Sequence, residues 1–158
     1  MNSDFLIRIA ADGMMIPIIL IGAYALIFKI PNGKRLKSYS LILMAGMTAY
    51  LFAKLIGSIY QPVGLRPFEL VGTVAGASFM NNPGFPSDHI LFATAITCAV
   101  WFTTKQKILT WILIALIITV GVGRVMALVH TPIDVIGGIL IALLGSLWYL
   151  NDKLTNKT

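Results

Sequence analysis

Charge is what this sequence has least of. Only 11% of its 158 residues are charged, against about 25% in an ordinary soluble domain. That scarcity, beside 58% apolar residues and a mean hydropathy of +0.87, excludes a disordered chain. It also excludes an ordinary soluble globule. A chain of this length buries about 70% of its unfolded surface and has no use for so much apolar side chain. Cysteine is nearly absent: Cys98 alone leaves no internal disulfide and no cysteine-based zinc site. Internal repeats, low-complexity tracts and long polar linkers are missing too, so the chain reads as one domain over 1–158.

What the sequence does have is long apolar runs. A transmembrane helix takes about 20 mostly apolar residues. Five segments approach that length: 13–30, 41–60, 87–104, 108–129 and 133–150. The first does not look like a cleavable signal peptide, because Asn2, Ser3 and Asp4 lead it and no small-x-small site follows. The expected fold is an all-α integral membrane protein. It is a bundle of about five transmembrane helices, with a short extracytoplasmic loop or helix between the second and third.

The formal net charge is +6, but the placement of the basic residues argues against a nucleic-acid surface. Lys29, Lys34, Arg35, Lys37, Lys105, Lys107, Lys153 and Lys157 fall on one side of five alternating spans, which makes that side cytoplasmic. The N-terminus then lies outside and the C-terminus inside, in a multi-pass cell-membrane protein. Arg8 is near the N-terminus. Lys54, Arg66 and Arg124 are left for the outer layer. A charge at membrane depth costs at least about 2.5 kcal/mol, and such charges are paired or functional. A shared anion would offset the cost.

Three stretches carry chemistry. Phe85-Pro86-Ser87-Asp88-His89 precedes the third span. Proline followed by a small hydroxyl residue starts a helix well, and the unpaired N–H groups of a first turn favour an anion. Ser87 is a helix cap on one reading and a phosphate ligand on the other. Arg124 through His130, Thr131, Pro132 and Asp134 bridges the fourth and fifth spans. Thr131 suits an N-cap, with Pro132 at the first helical position and Asp134 as a capping-box acid. Asp134 equally suits a carboxylate that orients His130, with Arg124 matching a phosphate fork to oxygen. The third stretch runs from Lys54 through Gln61-Pro62 to Arg66-Pro67-Phe68. Lys54 could snorkel outward there, and Arg66 could anchor a headgroup.

Together these stretches resemble the type-2 phosphatidic acid phosphatase superfamily, whose fold is vanadium haloperoxidase-like. That family carries a Lys with an Arg-Pro, then Pro-Ser-Gly-His, then Arg-x5-His-x3-Asp. The last motif matches in full as Arg124, His130 and Asp134. The second appears as Pro86-Ser87-Asp88-His89, with Asp in place of Gly. The first is irregular: Gln61-Pro62 stands where Arg-Pro is due, and Arg66-Pro67 comes five residues late. Either the loop carries an insertion or Lys54 is not the family lysine. The resemblance covers roughly 54–150, the motif-bearing core.

The resemblance implies a metal-independent lipid phosphatase without cofactors. His130 would form a phosphohistidine, with Asp134 holding its ring. His89 would serve as general acid and then base. Arg124, Arg66, Ser87 and Lys54 would hold phosphate oxygens. Asp88 would weaken the anion, pair with Arg66 or select among headgroups. The Asp-containing motif and Arg66-Pro67-Phe68 look most like bacterial undecaprenyl-diphosphate phosphatases. This implies a polyprenyl diphosphate substrate cleaved at the extracytoplasmic face for cell-wall synthesis. Alternatives are a broader phosphatidate or phosphatidylglycerophosphate phosphatase, or a non-catalytic lipid-phosphate binding or transporter subunit. Among the remaining features, Gly121, Gly123, Gly137 and Gly138 are expected to let the fourth and fifth spans approach. Tyr60, Trp148 and Tyr149 suit interfacial belts. Residues 69–82 suit a loop with a short helix over the site.

Overall fold

The computed structural model describes residues 3–60, 65–80 and 84–150. Gln61 and Pro62, and the terminal Lys153 and Lys157 of the topology argument, lie outside the described residues. Helix α1 (Ser3–Arg8) passes through a π-helical turn (Ile9–Gly13) into α2 (Met15–Phe28), forming one continuous helix of 26 residues. Pro17 has no N–H to donate and crowds the carbonyl four residues earlier, at Gly13, where the widened turn ends. This helix starts well before residue 13, because Arg8 and Asp12 dilute hydropathy without interrupting helical backbone.

A short 3-10 turn leads into α3 (Arg35–Ile59), followed by α4 (Pro67–Leu70), α5 (Asp88–Thr104), α6 (Lys107–Met126) and α7 (Pro132–Gly145). Helical structure after α7 continues to Leu150. The chain is an all-α membrane protein. Among the described residues, four helices are long and apolar enough to cross a bilayer. The third expected span, α5, has 17 residues and sits in the middle, packed on α2, α3, α6 and α7. Because α5 faces protein, it can carry buried threonines. Thr97 and Thr104 donate their hydroxyls to the carbonyls of Ala93 and Val100 one turn back, whereas the buried Thr94 hydroxyl has no hydrogen-bond partner. Ile18, Ile90, Val100, Leu113 and Val120 form the solvent-free centre. Leu20, Leu43, Leu51, Trp111, Ile118 and Leu140 lie exposed on the outer faces, as a surface turned to lipid requires.

The small residues divide their work differently from the expectation. Contact between α6 and α7 is thin. Only Gly121 faces α7, where a Cβ would stand 3.1 Å from Val135. A Cβ at Gly123 would meet the backbone of Ala10 and Ala11, so that glycine admits the first helix instead. Gly137 receives the Phe85 ring, and Gly138 receives the start of α5 at Ser87 and Leu91. The expected interfacial ring of Tyr149 is buried, stacked on Phe102 at 5.0 Å. Trp148 donates its indole N–H to Thr48. Tyr60 packs edge-on against Phe85.

Candidate active site

The turn between α6 and α7 sets the first imidazole. Leu128 takes a left-handed φ of 57°, which reverses the chain after α6. Thr131 then caps α7. Its hydroxyl accepts the Asp134 N–H at 3.3 Å, and Asp134 Oδ2 accepts the Thr131 N–H at 2.7 Å. The capping box expected from the sequence is therefore present. It leaves His130 immediately before the cap, buried, with Nδ1 3.6 Å from that same Asp134 oxygen. Burial holds the His130 imidazole below its ordinary pKa of 6.5; Asp134 opposes the shift, while Arg124 and Arg66 add to it. Burial thus favours the neutral ring, which keeps a lone pair.

Two guanidinium groups flank this turn. Arg66 begins α4, and its backbone N–H donates to Glu69 Oε2 at 2.6 Å. Its Nη1 donates to the Val129 carbonyl at 2.6 Å and its Nη2 to the Met80 carbonyl at 3.1 Å. Arg124 comes from the last turn of α6 and is 1% exposed. Its Nη1 donates to Asp12 Oδ1 at 2.7 Å and to the Ser78 carbonyl at 2.8 Å.

The second imidazole comes from the start of α5. The Ser87 backbone N–H donates to the Asp134 carbonyl at 3.0 Å, which locks this helix start to α7. Ser87 occupies the N-cap position, yet its hydroxyl makes no capping bond. Ser87 Oγ, Arg124 Nε and His130 Nδ1 are buried without hydrogen-bond partners. Groups of this kind call for a functional explanation. His89, in the first turn of α5, reaches Nε2 to 3.8 Å from Asp12 Oδ1.

His89, His130, Arg66 and Arg124 line one cavity of about 140 Å³, together with Asp88 and the 78–80 segment. Gly84 closes its floor: a Cβ there would lie within 4 Å of Asp134 Oδ2, Arg66 Nη1 and His130 Nδ1 at once. Lys54, Ser87 and Asp134 do not line this cavity. Lys54 instead lies beside it, 3.3 Å from Asp88 Oδ1 and over the Tyr50 ring. Opposite charge on the neighbouring helix holds it there. Asp88 therefore pairs with Lys54 rather than with Arg66.

The loop expected to cover the site contributes the 78–80 segment, and its short helix, α4, starts at Pro67, ahead of residue 69. Asn81 and Asn82 lie outside the described residues. The sequence reading missed Asp12, which touches both Arg124 and His89 and lies outside the 54–150 core. A lone acid inside an apolar run was the available signal. Next to the cavity, sharing Asp88 and Met80 with it, an apolar groove of about 790 Å³ runs between α3 and α5 as far as Tyr149.

The PAP2 superfamily family model matches residues 35–157. The chain belongs to the PAP2 superfamily. The matched stretch takes in α3 to α7 and all three motifs, and leaves out the helix carrying Asp12. The bacitracin transport permease protein BcrC of Bacillus licheniformis is 30% identical over 108 residues, which cover 66% of this chain. The chain spans about half of that curated relative's length, 50%. No solved structure matches. As in the PAP2 superfamily signature, the second imidazole follows a Pro-Ser pair, and the first stands six residues after its arginine.

Proposed function

We propose that this protein is a metal-independent membrane phosphatase. It removes the terminal phosphate of a polyprenyl diphosphate, of the undecaprenyl type used in cell-wall synthesis, at the extracytoplasmic face. One observation carries the reading: two imidazoles and two guanidinium groups converge on a single small cavity. Family membership supports it.

In the first step His130 Nε2 attacks the terminal phosphorus while Nδ1 faces Asp134, which steadies the charge that develops on the ring. The bond from phosphorus to the bridging oxygen breaks. His89 gives its proton to that oxygen, and a lipid monophosphate leaves. In the second step the now neutral His89 takes a proton from water, whose oxygen displaces His130 and releases inorganic phosphate. Arg66 and Arg124 neutralise the equatorial oxygens throughout, which is the main task in phosphoryl transfer. Ser87 closes the back of the site, and the pair of Lys54 with Asp88 stands at its mouth.

The groove beside the cavity supports a lipid substrate, since it is apolar along its length and opens where the phosphate would sit. The basic residues grouped at the opposite end of the bundle support the extracytoplasmic placement.

The test is phosphate release by the purified protein from a polyprenyl diphosphate, phosphatidate and phosphatidylglycerophosphate. The first should be fastest, with activity surviving a chelator and His130→Ala losing about 10³-fold or more. A His130→Ala protein as fast as wild type would sink the reading. Faster turnover of phosphatidate or phosphatidylglycerophosphate would leave the chemistry and change the substrate. One observation favours a second reading: the relative is named as a transport permease. A non-catalytic lipid-phosphate binding or transporter subunit would bind the lipid and release no phosphate.

A further inference from the structure

The cavity wall is braced from outside the stretch that matches the family, through Arg124 and Ser78. Asp12 lies in the π-helical turn of the first helix, a backbone feature that is often found at functional sites. The turn is held by a bond from the Met14 N–H to the Ile9 carbonyl at 3.0 Å. Each carboxylate oxygen has a separate task. Oδ1 accepts Arg124 Nη1 at 2.7 Å and lies 3.8 Å from His89 Nε2. Oδ2 accepts the Ser78 backbone N–H at 2.8 Å. The Ser78 carbonyl takes Arg124 Nη1 in turn, at 2.8 Å, so Asp12, Ser78 and Arg124 form a closed ring along the cavity wall.

We infer that Asp12 is a positioning residue of the phosphate cavity: its carboxylate fixes the Arg124 fork and places a negative charge beside His89 Nε2. The inference rests on the phosphatase reading above and adds to it a residue supplied by the first helix. Arg124 is fully buried, so its guanidinium needs an anion near it before any substrate arrives, and Asp12 is that anion. The charged and titratable groups around His89 are Arg124, Asp12, His130 and Asp88. Burial disfavours a proton there most, and Arg124 and a charged His130 repel one; Asp12 and Asp88 oppose that by attracting one. Asp12 is the acid from a different helix, and it is in direct reach of Nε2. Removing its charge should therefore cost His89 its proton at a lower pH.

Asp12→Asn deletes the charge and keeps one acceptor oxygen for Arg124, giving up the bond from the Ser78 N–H; Asp12→Glu keeps the charge and both acceptors. Wild type and both variants are compared in detergent by thermal unfolding, by single-turnover hydrolysis of the polyprenyl diphosphate across pH, and by binding of inorganic phosphate. For Asp12→Asn the single-turnover rate should fall about 10-fold or more. Its high-pH limb should move to lower pH, and phosphate binding should stay equal or tighten, because a competing negative charge has gone. Asp12→Glu should regain part of the rate and the wild-type limb. An Asp12→Asn rate and pH profile matching wild type would overturn the inference and leave the phosphatase reading standing. So would phosphate binding lost in step with the rate, which marks a structural role. A wild-type protein that hydrolyses no lipid phosphate would instead overturn the phosphatase reading, and the inference with it.

Discussion

Asp134 Oδ2 accepts the Thr131 N–H at 2.7 Å and stands 3.6 Å from His130 Nδ1, so one oxygen serves both the helix cap and the imidazole. The two roles separate by mutation. Thr131→Ala removes the cap hydroxyl alone and should cost about 1 kcal/mol of stability, with single-turnover rates close to wild type. Asp134→Ala removes both roles and should lower stability while slowing phosphate release by about 100-fold or more. Thermal unfolding beside kinetics on the same preparations distinguishes them. If Thr131→Ala slowed the reaction as much as Asp134→Ala, the carboxylate would be acting through the cap.

Burial of His130 has a pH consequence. Its folded-state pKa lies below the ordinary 6.5, with desolvation the first cause. The unfolded chain therefore binds the proton more readily. The stabilising contribution is present in full above pH 6.5 and is lost as pH falls through that value toward the folded-state pKa. Stability of wild type should fall between pH 7 and pH 5 more steeply than that of His130→Asn. The acid limb of the single-turnover rate should lie below 6.5, because the nucleophile stays neutral there. An acid limb above that value would contradict the assignment of His130 as an unprotonated nucleophile.

Lys54 is held 3.3 Å from Asp88 and away from the cavity. Both side chains are partly exposed, so the pair contributes at most about 1 kcal/mol to stability. Its weight lies in where it leaves the charges. Asp88→Gly should free Lys54 toward the phosphate and lower KM several-fold. Lys54→Ala should change little in the wild-type background and much more in the Asp88→Gly background. A double-mutant cycle in KM measures that coupling, and additive effects would show that Lys54 never reaches the anion.

How much of this was legible beforehand depends on range. The helices followed from apolar runs, and the cap at Thr131 with His130 and Asp134 followed from spacings of a few residues, since local backbone geometry fixes them. The pairing of Arg124 with Asp12 spans 112 residues and that of Lys54 with Asp88 spans 34. No local rule reaches so far. Hydropathy counted Asp12 as a blemish in an apolar run, though the same insertion cost that singled out Arg124 applies to it. α5 read as a span like the others. Its central position became visible only through its buried threonines. The glycines were rightly singled out for close approach, but sequence neighbours suggested α6 against α7, whereas Gly123 receives the π-helical turn of the first helix and Gly138 receives α5.

Gly46 lines the apolar groove, and a Cβ there would meet nothing within 4 Å. Gly46→Leu should therefore obstruct the groove without straining the bundle, and helix propensity should make α3 slightly more stable, by up to about 1 kcal/mol. KM for a long-chain polyprenyl diphosphate should rise about 10-fold, while hydrolysis of a short-chain, water-soluble diphosphate stays near wild type. Equal effects on both substrates would mean that the chain does not lie in this groove.

Gly123 offers the opposite case. A Cβ would stand 2.6 Å from the Ala11 nitrogen and 2.7 Å from the Ala10 carbonyl carbon, and backbone atoms cannot step aside as a side chain can. Gly123→Ala should push the first helix off α6 and cost about 1–3 kcal/mol, the usual range for overpacking. Asp12 lies one residue beyond that contact, so the displacement should also draw its carboxylate from Arg124. The variant should then combine a lowered unfolding temperature with the slowed single turnover of Asp12→Asn. Because the two changes act on one interaction, adding Asp12→Asn to Gly123→Ala should slow the reaction little further. Rates that multiplied would place the glycine and the carboxylate in separate parts of the mechanism.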